Sequence, residues 1–120
     1  KDMAEVFIED ALELSNVIIP TDLQKIEDVI IPCANIYFEL CCYNQAIGLL
    51  YKGTRLCFKH INTDSYAFIR QQLYNHFFQV GIEAQKVEWC QKMIKLIEIE
   101  NKEIVDDKNR VIIPEEVRSL

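Results

Sequence analysis

Cysteine and histidine are the residues of this sequence best suited to nucleophilic catalysis or metal binding, and their spacing favours neither. The five cysteines form no Cys-X-X-Cys pair, and the two histidines stand apart from them. Zinc sites usually combine such closely spaced pairs with histidine. We therefore expect reduced thiols that pack as small hydrophobic side chains in a cytoplasmic protein, with no metal and no cofactor. These residues are Cys33, Cys41, Cys42, Cys57 and Cys90.

Adjacent acidic residues are the other candidates for catalysis, and their placement does not suit it. Glu9 is followed by Asp10, and Asp106 by Asp107. Neighbouring side chains on a helix point to different faces, so such pairs are poor general acid–base partners. The three glycines are isolated from one another, and the sequence contains no glycine-rich phosphate-binding loop. We expect a protein that is not an enzyme.

Charge and hydropathy restrict the partners. The 120 residues carry 13 Lys and Arg against 19 Asp and Glu, a formal net charge of −6. Nucleic-acid binding needs Lys and Arg to displace the counterions of phosphates, so we expect no nucleic acid. No apolar run approaches the roughly 20 residues of a membrane-spanning helix, so we expect no membrane insertion. The basic residues Lys52, Arg55 and Lys59 form either a stripe that receives an acidic or phosphorylated partner or a solvated helix face.

Apolar residues recur at helical spacing along most of the chain, between short turns. Thr21 and Gln24 have the spacing of a capping box, and Gly81 suits a left-handed helix end. Pro32 predicts either a kink in the second helix or its division into residues 22–30 and 32–42, and we favour the kink. The predicted helices cover residues 2–16, 22–42, 44–59, 65–80 and 82–100.

The chain divides into a helical domain over residues 1–103 and a C-terminal tail or capping segment over residues 104–120. The spacing in the second part predicts a small hairpin or an extended tail, and Pro114 opens a last short helix. Because the sequence begins with Lys1 and shows no leader, we expect it to be a piece of a longer protein.

One part of the chain repeats another at an offset of 40 residues. Residues 35–38 (NIYF) align with residues 75–78 (NHFF). In the central helix pair, small and bulky residues follow at fixed distances, namely Ala34, Tyr37, Ala46, Leu50 and Gly53. This pattern resembles the tetratricopeptide repeat family over about residues 2–97, in a variant longer than the usual ~34-residue repeat. A helical bundle without true repeats is the alternative.

The resemblance implies an all-α fold in which antiparallel helix pairs stack as a right-handed solenoid segment of about two and a half repeats. In that family the first helix of each pair lines a concave groove, a role that falls here on the second and fourth helices. The groove positions correspond to Asp28, Ile31, Asn35, Phe38 and Glu39, then Phe68, Gln71, Asn75, Phe78 and Gln79. The amides of Asn35 and Asn75 suit an extended peptide backbone. Phe38 and Phe78 are either aromatic anchors or core residues.

The expected function is a non-catalytic protein–protein interaction scaffold that binds a partner peptide or helix in this groove. One subclass of the tetratricopeptide repeat family clamps a terminal carboxylate with Lys and Arg side chains in the groove. Such a clamp is not expected here, because Ile31 and Gln71 occupy the corresponding positions. Two alternatives stay open. One is an assembly or dimerisation segment of a larger multi-subunit complex, to which the tail near Val111 contributes by strand addition or by capping. The other is a helical regulatory domain of an enzyme.

Overall fold

Helices account for most of the chain in a computed structural model that describes residues 3–19 and 21–120. Within these residues the fold is all-α, as expected, and none of them belongs to a β-strand, so a hairpin in the tail is wrong. A 3₁₀ turn at Asp107–Asn109 lies between the last two helices. The helices are α1 (Met3–Ile18), α2 (residues 22–39), α3 (Tyr43–Phe58), α4 (Asp64–Glu83), α5 (Val87–Glu103) and α6 (Glu115–Arg118).

The first helix continues past its predicted end. Val17 and Ile18 are still helical, and the N–H of Ile19 donates to the carbonyl oxygen of Ser15 at 3.0 Å. The helix therefore ends at Ile18 rather than at residue 16. Asp2, the first residue of the predicted helix, lies outside the described residues, as does Pro20.

Helix α2 accommodates its internal proline through a local π-helical turn, Ile26–Ile30. It begins as predicted, with the hydroxyl of Thr21 accepting from the N–H of Gln24 at 3.2 Å. In a regular helix the ring of Pro32 would clash with the carbonyl four residues back. The N–H of Ile31 instead bonds to the carbonyl oxygen of Ile26, five residues back, and this wider turn makes room for the proline.

The predicted ends of α2 and α4 are wrong, because left-handed residues other than glycine end both helices. Cys41 has φ 60° and Gln85 has φ 58°. The residue after each donates its N–H back into the helix, Cys42 to Tyr37 and Lys86 to Gly81, both at 2.8 Å. These are Schellman caps. The two caps lie 44 residues apart (41 to 85), four more than the offset predicted from the sequence alignment.

Two glycines set the distances between the helices. Gly81 lies inside α4 and has no positive φ, so its predicted role as a left-handed cap is wrong. A Cβ on Gly81 would lie 2.6 Å from the Sγ of Cys90, so its missing side chain lets α5 approach α4. A Cβ on Gly53 would lie 2.8 Å from Leu73 on α4 and 3.3 Å from Ile30 on α2. Helix α3 therefore packs closely against both of its neighbours.

The residues that suggested a repeat lie in this packed region. Ala34, Tyr37, Ala46 and Leu50 are all buried between α2 and α3 or beside them. The Cα atoms span 41 × 35 × 15 Å, so the helices form a flat assembly. The turn after α3 contacts the start of α2, where the Nε2 of His60 and a carboxylate oxygen of Asp22 approach to 3.0 Å.

Candidate functional site

The ten predicted groove residues differ in how accessible they are. On α2, Asp28, Asn35 and Glu39 are exposed, while Ile31 and Phe38 are half-buried against the core. On α4, Phe68, Asn75 and Gln79 are exposed, and Gln71 is half-buried. Phe78 is only 2% exposed, which makes it a core residue and not a free aromatic anchor. Exposed amide and acidic side chains therefore make up most of the accessible part of this surface.

Gln71 and Asn101 together hold the backbone of the C-terminal tail, and we call this pair the clasp. The side-chain amide of Gln71 donates to the carbonyl oxygen of Ile112 and accepts from its N–H, both at 2.8 Å. Asn101 makes the same two bonds to Val111, both at 3.0 Å. A side-chain amide can pair in this way with any residue, because it is donor and acceptor together. The clasp therefore recognises peptide backbone independently of side-chain identity.

The side chains of the clasped segment alternate between core and solvent. Val111 and Ile113 are 5% and 7% exposed, whereas Ile112 between them is 74% exposed. Pro114 then opens α6 as predicted, and Val117 on that helix is 2% exposed. Such alternation is typical of an extended chain on an apolar surface. The tail is thus bound through both its backbone and every second side chain.

A buried arginine fixes the chain just before the clasp. Arg70 is 1% exposed and donates to the carbonyl oxygens of His60 at 3.1 Å and Asn109 at 2.8 Å. Asn109 is also anchored by its side chain, which donates to the carboxylate of Asp64 at 3.0 Å, and this bond lowers the pKa of Asp64. Arg70 therefore ties the tail to α4 and to the turn that precedes it.

Two more polar groups lie in the core near this arginine. The hydroxyl of Tyr74 donates to the carboxylate of Glu100 at 2.6 Å, and both residues are buried. Burial raises the pKa of Glu100, although the bond from Tyr74 and the charge of Arg70 partly oppose it. Burial also raises the pKa of the Cys57 thiol to about 12. This thiol is therefore protonated at neutral pH and is a poor nucleophile.

A cleft of about 390 Å³ lies between α4 and α6. The amides of Asn75 and Gln79 line it on α4, and Glu83 and Glu116 contribute acidic groups. The side chain of Asn75 accepts a bond from Gln71 at 3.1 Å, which connects the cleft to the clasp. Three predicted residues, Gln71, Asn75 and Gln79, are thus brought together on α4, whereas Asn35 and the other α2 positions take no part in the clasp.

Sequence reasoning missed Arg70, Glu100 and Asn101. The partners of Arg70 and Asn101 in the tail lie 39 and 10 residues away along the chain, so no local pattern connects them. Arg70 did leave a signal. It lies on the apolar face of α4, at helical spacing from Tyr66 and Leu73, which is an unusual position for a charged residue.

The described residues contain no group of three or more His, Cys, Asp or Glu side chains placed to hold a metal ion. All five cysteines are free thiols. Over residues 3–19 and 21–120, no helix is long and apolar enough to cross a lipid bilayer.

Comparison of this chain with protein-family models, with curated proteins and with solved structures finds no match.

Proposed function

We propose that this chain is a non-catalytic protein–protein interaction scaffold with tetratricopeptide-like helical repeats, and that it binds an extended partner segment along α2 and α4. The observation that carries the proposal is the clasp. Gln71 and Asn101 hold the tail backbone through four bonds while the core takes alternate side chains. Recognition of an extended peptide uses the same two elements, backbone bonds and sockets for every second side chain.

The partner lies in the cleft between α4 and α6, beside Asn75 and Gln79, and extends towards Asn35 on α2. Its backbone bonds to these exposed amides. Acidic groups surround this surface, namely Asp28 and Glu39 on α2 and Glu83 and Glu116 at the cleft. A partner segment that carries Lys or Arg together with apolar residues complements them.

The packing of the helices supports a solenoid-like arrangement. Helix α3 contacts both α2 and α4, the assembly is flat, and the same Schellman cap ends the first helix of each pair. Repeats of this kind expose a long surface to partners, because each unit contacts only its neighbours. The five free thiols support a reducing compartment, which for this chain we propose is the cytoplasm.

Selection of a displayed random-peptide library on the immobilised chain tests the proposal. We expect enriched peptides that combine Lys or Arg with apolar residues. Asn35→Ala and Asn75→Ala should each weaken binding of these peptides about tenfold, which corresponds to about 1.4 kcal/mol for one lost amide pair. Binding is measured by fluorescence polarisation, and circular dichroism verifies that the helices are retained.

The control is Gln91→Ala, which removes an exposed amide from α5, outside the proposed surface. This variant should bind the selected peptides as the parent does. Selected peptides that bind all three variants equally would place the partner elsewhere, and a library without any binder would contradict the scaffold function.

A second candidate function is an assembly or dimerisation segment of a larger complex. The observation that favours it is the wide apolar surface that α1 exposes, on which Met3 and Val17 are each 82% exposed. Light scattering distinguishes the two functions, because a monomer at all concentrations contradicts self-assembly and leaves the peptide-binding proposal intact.

A further inference from the structure

The outer face of α1 is an apolar stripe. Met3, Phe7, Leu14 and Ile18 lie at helical spacing and are 82%, 69%, 56% and 64% exposed. The opposite face of the helix packs on α2 through Ile8, which is fully buried. The exposed Asp10, one turn from both Phe7 and Leu14, lies among them. Grouped exposed apolar side chains mark interaction surfaces, whereas single ones are ordinary. The outer face of α1 thus exposes large apolar side chains to solvent, with no other element of the described chain packed on them.

A groove lies between α3 and α5. Its volume is about 590 Å³, and most of its lining is apolar. Ile47 and Tyr51 form the wall on α3, Trp89 and Met93 form the wall on α5, and Phe77 of α4 lies between them. The groove is open above Gly48, where a Cβ would meet no atom within 4 Å. An amphipathic helix laid in a groove of this kind buries its apolar stripe.

The charges around the stripe and around the groove are opposite in sign. Helix α1 carries Glu5, Glu9, Asp10 and Glu13 and has no Lys or Arg between residues 3 and 18. Helix α3 carries Lys52 and Arg55 and has no acidic residue. On α5, Lys92 lines the groove, and the Nζ of Lys86, just before this helix, lies 5.5 Å from the centre of the Trp89 ring. The acidic residues of α5 are not among those that line the groove, namely Glu88, Glu98, Glu100 and Glu103. Charge complementarity steers the acidic helix to this groove in one orientation.

We propose that α1 of one copy of this chain binds in the groove between α3 and α5 of a second copy. The apolar stripe of α1 covers the groove, and Asp10 and Glu13 beside the stripe face the Lys and Arg side chains on the rims. Each copy supplies one helix and one groove, so the contact is heterologous. The contact rests on the assembly function named above as the second candidate and assigns it a surface. It uses a different surface from the partner-binding face on α2 and α4, so it and the peptide-binding proposal can fail independently.

Sedimentation equilibrium of the full chain tests the contact. The weight-average mass should rise above 14.1 kDa as the protein concentration increases. It should fall back at about 0.5 M NaCl, because salt screens the exposed charges. A mass that stays at 14.1 kDa up to millimolar concentration overturns the proposal.

Two variants separate the two sides of the contact. Gly48→Trp fills the groove and should weaken self-association more than tenfold, whereas Gly48→Ala, its matched control, adds only a methyl group and should associate as the parent does. Phe7→Gln combined with Leu14→Gln removes half of the stripe and should have the same effect as Gly48→Trp. The control for this pair is Val105→Gln with Leu120→Gln, because these two exposed apolar residues lie outside the stripe, the groove and the clasp.

Mixing the two defective variants gives the decisive measurement. The groove of the Phe7/Leu14 variant and the helix of the Gly48→Trp variant are both intact, so the mixture should form 1:1 heterodimers although neither associates alone. Failure to form the heterodimer overturns the proposal, as does self-association of the Gly48→Trp variant at the parental strength. If that variant does not fold, Lys92→Glu replaces it, and unchanged association of Lys92→Glu likewise overturns the proposal.

Discussion

Alanine substitution of the clasp residues tests whether Gln71 and Asn101 hold the tail as one unit. Each residue makes two hydrogen bonds to the tail backbone, at 2.8 Å for Gln71 and 3.0 Å for Asn101. One such bond contributes about 0.5–1.5 kcal/mol net, so each substitution should remove about 1–3 kcal/mol of docking free energy. Gln71→Ala should lie near 1 kcal/mol because its bonds are exposed, and Asn101→Ala higher because its bonds are partly buried.

Hydrogen exchange at the amide that each variant leaves bonded measures this effect. In Gln71→Ala the N–H of Val111 still donates to Asn101, and in Asn101→Ala the N–H of Ile112 still donates to Gln71. A loss of about 1.4 kcal/mol makes the open tail about tenfold more populated. We therefore expect about fivefold faster exchange of Val111 in Gln71→Ala, and at least tenfold faster exchange of Ile112 in Asn101→Ala. Core amides such as Leu50 should change little, because the tail opens locally.

The control is Gln91→Ala, which removes an exposed amide from the same helix as Asn101 and should leave both exchange rates unchanged. The reasoning is refuted if Val111 in Gln71→Ala exchanges at the parental rate. In that case the two amides do not act on a common docked tail.

Three further substitutions have expected outcomes. Arg70→Met leaves two carbonyl oxygens without their donor, so urea denaturation should show a free energy of unfolding lower by about 3 kcal/mol. A decrease of less than about 1 kcal/mol would contradict the anchoring role of Arg70. Gly81→Ala places a methyl group 2.6 Å from the Sγ of Cys90 and should lower the free energy of unfolding by about 1–3 kcal/mol in the same assay. The double variant with Cys90→Ala should recover most of this stability. No recovery would exclude a steric cause. Burial raises the pKa of Glu100 in the folded chain above its ordinary value of 4.5. As pH rises, the unfolded chain therefore loses this proton before the folded chain does, and the ionisation of Glu100 destabilises the fold as pH passes through the unfolded and then the folded pKa. Glu100→Gln keeps an acceptor for Tyr74 and should therefore gain thermal stability over the parent at pH 7 but not at pH 4; an equal difference at both values would refute the linkage.

The helices were predictable because burial repeats with the helical period, and their ends were less so. Residues on one face of a helix recur every three or four positions, and this pattern located α1 to α4 to within three residues but placed the start of α5 five residues early. The ends of α2 and α4 depend instead on Cys41 and Gln85, which adopt left-handed backbone conformations. Neither residue type favours that conformation. Tertiary packing on both sides of each turn therefore decides where these helices stop.

The sequence predicted the α4 residues of the candidate site but not the tail segment that they bind. The resemblance selected Gln71, Asn75 and Gln79, which the fold brings together along α4. The choice between anchor and core for Phe78 needed the structure, because both roles use the same helical spacing. The segment bound by Gln71 lies 41 residues further along the chain. A contact over that distance leaves no periodic signal in either segment.

The tetrapeptide Val-Ile-Ile-Pro occurs three times, at residues 17–20, 29–32 and 111–114, and its described residues differ in structure from one copy to the next. Val17 and Ile18 end α1 and are exposed, whereas residues 29–32 lie inside α2, with Ile30 fully buried. The third copy is held outside any helix by the clasp, with its first and third side chains buried.

The sequence by itself determined the helical class of this protein and its apolar faces, because these follow from spacing within a few residues. Only the tertiary structure decided where the tail lies, which amides hold it and which part of the surface stays open. Backbone preferences of identical short segments are equal, so contacts with residues distant in the chain select among their conformations.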